Sequence, residues 1–102
     1  MSAFSAAKGC SNISGELTLW NGHPPSLRIT LSDTDLVYGI SEAGEEPTVG
    51  AIPSELYSQI LKGENRIKGN FCIEKLGKFT QVPYSKNKIE YINIKSYSDI
   101  NK

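Results

Sequence analysis

The chain has 102 residues, 38% of them apolar and 22% charged, with eleven bases balanced by eleven acids. That suits one folded domain with a modest core rather than a disordered chain. Its longest apolar runs, such as Leu36-Val37-Tyr38, fall far short of the roughly 20 residues a membrane-crossing helix needs, and zero net charge argues against non-specific nucleic-acid binding.

The charge is unevenly placed: residues 1–50 carry two bases against six acids, and residues 51–102 carry nine against five. Acidic and basic loops facing each other across a small fold account for this, although such a gradient also steers anionic partners. The opening dodecapeptide "MSAFSAAKGCSN" lacks the apolar block of a signal peptide. Its "AKGC" is a poor lipoprotein box, since Lys8 stands where a small or apolar residue belongs. Residues 1–12 are expected to be a flexible tail, 13–98 one globular domain and 99–102 a frayed end. The expected location is soluble, with the cytoplasm as default. Two cysteines without regular spacing do not make a disulfide framework. Cys10 and Cys72 are expected to be unpaired, although a bridge would contribute about 4 kcal/mol.

From Ile13 the chain alternates, with Ile13, Gly15, Leu17 and Leu19 on one face and Ser14, Glu16, Thr18 and Trp20 on the other. This is the period of a half-buried strand. Next comes "LWNGHPPSLRI" (19–29), holding the only tryptophan, the only histidine, one of two arginines and an adjacent proline pair. Asn-Gly favours a two-residue hairpin, but Pro24 and Pro25 have no N–H for a ladder. A longer, stiff loop is expected, with pairing resumed near Ser26 or Leu27. Leu27, Ile29 and Leu31 then alternate with Arg28, Thr30 and Ser32, "SDTD" reads as a turn, and "LVYGI" (36–40) as a third strand.

An acidic loop (42–51) leads to the one convincing helix, about 53–62. Pro53 suits its first turn, Leu56–Ile60 and Tyr57–Leu61 form its apolar face, and Gly63 stops it. "RIKGNFCIEK" alternates again, with Ile67, Gly69, Phe71 and Ile73 inward. "KFTQVPY" (78–84) reads as a separate strand ended by Pro83. "KIEYINIKSY" (88–97) is apolar on both faces, which predicts a bulge or two-sided burial.

The predicted class is mainly β (α+β), in the order β-β-β-α-β-β(-β). That order resembles OB-type barrels, in which a helix sits between the third and fourth strands; the rival is a small curved antiparallel sheet with the helix across one face. The resemblance implies a ligand over strands two and three, flanked by the first loop and the loop joining strands four and five. Mapped by order, that gathers Trp20, His23, Arg28, Lys78, Phe79, Tyr84 and Lys86. Aromatic faces and cations together suit stacking on flat ligands. The competing account of Trp20 is that it covers the prolines.

Catalytic signals are lacking. A lone loop histidine makes no triad, one His and two Cys give no zinc spacing, and neither glycine-rich phosphate motif occurs. Asp33 and Asp35 lack an EF-hand ligand series, and Asn12-Ile13-Ser14 matches a glycosylation sequon that seven asparagines produce readily by chance. No cofactor, metal or catalytic residue is expected. The leading expectation is a non-catalytic binding module, engaging a protein partner or small extended ligand through the Trp20/Arg28 loop end or an exposed strand edge. The alternatives are a small-substrate enzyme with a pocket at a homo-oligomer interface, an oligonucleotide- or oligosaccharide-binding OB-like domain, and a homo-oligomer that buries an edge such as 88–97.

Overall fold

A computed structural model describes residues 10–20, 25–34, 36–43, 46–64, 66–81 and 88–101. The elements in chain order are β1 (Ser11–Leu19), β2 (Leu27–Leu31), β3 (Val37–Ile40), β4 (Glu42–Ala43), β5 (Glu46–Pro47), α1 (Ser54–Gln59), β6 (Arg66–Gln81) and β7 (Lys88–Asn101). Five strands close into a barrel in the order β1-β2-β3-β7-β6, and β4–β5 form a separate small hairpin. The helix falls between the third and fourth barrel strands, so the architecture is OB-like rather than an open sheet. Closure includes one parallel junction, Tyr38–Ile40 of β3 against Glu90–Ile92 of β7. All other pairings are antiparallel.

Alternation puts Leu17 of β1, Leu27 and Ile29 of β2 and Tyr38 and Ile40 of β3 inward, where they meet Ile67, Phe71, Ile73, Ile92 and Ile94. Leu56 and Ile60 close one end of this core, together with Ala51, whose carbonyl accepts the Ile94 N–H at 2.7 Å. The helix is shorter than expected. Pro53 stands at its N-cap, and beyond Gln59 a wide turn (Ile60–Glu64) unwinds through Gly63 at φ +99°. That unwinding splits the expected face: Leu56 and Ile60 are fully buried, while Leu61 is turned out to 54% exposure.

Three further expectations are corrected. The strands expected separately at 66–75 and 78–84 are, over the described residues to Gln81, one strand, β6, with Gly77 at φ +70° inside it; 82–84 lie outside the described residues. There Leu76, Gly77 and Lys78 lie between the pairs Lys75–Ile92 and Phe79–Glu90, where β7 has the single residue Tyr91, and Glu90 Oε2 accepts the Gly77 N–H at 3.2 Å. A bulge keeps the ladder continuous where glycine alone reads as an interruption. The barrel also begins before residue 13 and runs past 98: Ser11 and Asn12 pair with Ile73 and Cys72, and β7 reaches Asn101 through two irregularities in its pairing. Finally, Cys10 and Cys72 are disulfide-bonded, with Cα atoms 5.3 Å apart. Placing Cys10 in a tail hid this. Pairing of β1 with β6 brings it beside Cys72.

Candidate functional site

The register sets Thr18, Arg28, Gly39 and Tyr91 side by side across β1, β2, β3 and β7. The bulge of β6 that carries Lys78 lies opposite Tyr91. These positions alternate with the inward Leu17, Ile29, Ile40 and Ile92, so the row lies on the outer wall of the barrel. It adjoins the helix-closed end, where β1 runs out at Leu19 and the chain turns back toward β2.

That return is built from the row itself. The Trp20 N–H donates to the Ser26 carbonyl at 2.7 Å, and the Ser26 N–H donates to Glu42 Oε1 at 2.7 Å. Arg28 Nε donates to the Pro25 carbonyl at 3.0 Å, while its Cζ lies 4.6 Å from the centre of the Trp20 ring. The indole Nε1–H in turn donates to Thr18 Oγ1 at 2.8 Å. Pro25 is fully buried against Gly39. A methyl group at residue 39 would overlap Pro25 Cγ and come within 2.9 Å of Pro25 Cβ and 3.2 Å of Ile89 Cγ2. Glycine is required here for close approach, the proline seating itself directly on strand backbone.

The result is an aromatic ring with one face backed by a guanidinium and 49% of its surface open. Arg28 is only 9% exposed. Burial pulls its guanidinium below the ordinary arginine value, partly offset by the neighbouring Glu42 carboxylate. A buried cation of this sort is held in place by what surrounds it. Arg28 therefore latches the loop and backs the indole.

No family model, curated protein or solved structure matches this chain.

Of the residues gathered by sequence, Trp20 and Arg28 are in direct contact. Lys78 joins their row three strand spacings away from Arg28, about 14 Å. There it lines a shallow recess of about 190 Å³ with Ser41, Glu42 and Tyr91. Phe79 is 57% exposed and pairs with Glu90, on the face opposite Tyr91. His23, Tyr84 and Lys86 lie outside the described residues. Sequence reasoning missed Glu42, which ties the loop to the β4–β5 hairpin, and Pro25, whose carbonyl holds the arginine. The proline pair was itself the available signal, since a buried carbonyl beside it needs a donor.

A second recess, lined by Leu19, Leu27, Ile40, Pro47 and Tyr57 with Ser26 and Glu42 at its rim, has an interior of about 20 Å³. That holds roughly one water molecule. Among the described residues no group of three His, Cys, Asp or Glu side chains is placed to hold a metal ion. No helix among them is long and apolar enough to cross a membrane.

Proposed function

We propose that this barrel is a non-catalytic binding module which presents the open face of Trp20 to a protein partner or a small extended ligand. The observation carrying this reading is a half-exposed indole fixed by Thr18, Ser26 and Arg28. Exposing a tryptophan wastes apolar area that folding would otherwise bury, and fixing it in advance lowers the entropic cost of a later contact. Arg28 supports the platform from behind. The zero net charge and the commitment of Arg28 to the loop favour a protein or neutral ligand over a phosphate backbone.

A thermal-shift screen of short peptides, oligosaccharides, nucleotides and oligonucleotides, read in parallel by Trp20 emission, tests the proposal. A true ligand shifts both signals, and Trp20→Ala weakens its binding at least tenfold while the far-ultraviolet circular dichroism stays that of the barrel. Binding to a protein or neutral ligand barely changes between low and moderate salt, whereas binding to an oligonucleotide falls steeply. A ligand that binds the Trp20→Ala protein with undiminished affinity places the site elsewhere and sinks the reading.

A further inference from the structure

The bond between Cys10 and Cys72 spans 62 positions and uses every cysteine in the chain. Cys72 lies in the middle of β6, in a stretch that pairs with β1 on one side and β7 on the other, and it is 6% exposed. Cys10 directly precedes β1, whose first residues, Ser11 and Asn12, are solvent-exposed. The bond thus pins the least buried end of β1 to the strand against which it pairs.

Reactive and catalytic cysteines sit in electropositive, accessible places such as helix N-termini or closely spaced Cys-x-x-Cys motifs. This pair has neither feature. Its two members are far apart in sequence, one is buried in a strand, and their joining fastens one barrel strand to another. Bonds with that purpose form and persist where oxidants set the thiol state, and are rare where glutathione keeps thiols reduced.

We infer that this chain is a substrate of a thiol–disulfide oxidoreductase and completes its fold in an oxidising compartment rather than in the reducing cytosol. The inference replaces the cytoplasmic default of the sequence and stands apart from the binding role of Trp20. The Cys10 thiolate, at the accessible strand start, attacks one sulfur of the oxidant's disulfide and releases the other as a thiolate. The Cys72 thiolate then attacks the Cys10 sulfur of the mixed disulfide, expelling as a second thiolate the oxidant sulfur that Cys10 had attacked. The chain gives up two electrons and two protons, and the oxidant leaves as a dithiol. Because Cys72 is covered in the finished barrel, the second step precedes full docking of β1 or accompanies it.

The test uses the protein from its own cells, acid-quenched to stop exchange, then denatured and treated with a thiol-alkylating reagent. The expected material is two hydrogens lighter than the reduced sequence, takes up no alkyl group, and is found in the exported fraction. Two alkyl groups per chain, or an oxidised chain confined to the cytosol, overturns the inference. A second measurement removes the bond. Closing a loop of this length raises the folding constant about a thousandfold, so Cys10→Ser should lower it by that order in urea titration while the barrel's circular dichroism is retained. A variant with an unchanged unfolding midpoint would show the bond to be incidental and would equally overturn the inference.

Discussion

Replacing Gly39 with alanine adds one methyl group where Pro25 rests on β3. The new carbon would overlap Pro25 Cγ and meet Ile89 Cγ2 at 3.2 Å, against an ordinary carbon–carbon contact of about 3.5–4.0 Å. Two responses are open. The proline stays and the wall is overpacked, at about 1–3 kcal/mol; or the loop lifts and gives up the Arg28–Pro25 hydrogen bond, which at about 1.5–3 kcal/mol is a similar cost. The cheaper route sets the outcome, so the loss should be about 2 kcal/mol, or a fall in Tm of about 10 °C for a domain of this size. Urea and thermal unfolding followed by circular dichroism measure the loss, and Trp20 emission tells the routes apart. Lifting releases the indole from Arg28 and makes it more accessible to a soluble quencher; overpacking leaves its emission unchanged. Stability within 0.5 kcal/mol of the parent, a tolerance typical of unremarkable surface changes, together with unaltered emission, would show that Pro25 is not seated on Gly39.

Other substitutions separate the barrel from its loop. Phe71 is fully buried at the middle of β6, so Phe71→Ala should cost about 3–5 kcal/mol in urea titration, and a cost below 1 kcal/mol would remove it from the core. Gly77 has φ +70° with nothing within 4 Å of a added methyl group. Gly77→Ala should therefore cost about 1 kcal/mol through backbone strain alone, with the Trp20 emission unmoved.

How far the sequence foretells this molecule depends on where each signal is written. The face of β1 is legible because Leu17 and Glu16 meet oil and water on opposite sides of one strand. Trp20 and Arg28 are legible as neighbours because both occupy the polar face of adjoining strands, and strand pairing then makes them touch. The bulge at Gly77 is not legible in the same way. Two alternating runs with a glycine between them read as two strands, and only the opposing Tyr91 and the hydrogen bond from Glu90 show the ladder to be continuous. That same bulge moves Lys78 into the row and leaves Phe79 on the other face, so a residue count alone misassigns them. The disulfide and the Glu42 contact join positions distant in sequence, and no local pattern encodes them. The expectation of an exposed edge at 88–97 fails over Glu90–Ile92 for a related reason: β3 pairs with this segment in parallel, and such pairing leaves no turn between the partners to announce it.

The parallel junction also shapes how the chain reaches its native form. It comprises three residue pairs joining segments about fifty residues apart, whereas β1 and β2 meet across a short loop. Neighbouring hairpins can zip early, but the seam must wait for a long loop to close, at an entropic cost paid before any contact rewards it. On a ribosome, β3 emerges well ahead of its partner and for that interval offers a bare rim of N–H and C=O groups to any other chain. Swift synthesis through β7 therefore protects the nascent protein from clumping, and a pause in translation before Lys88 would prolong its most vulnerable stage.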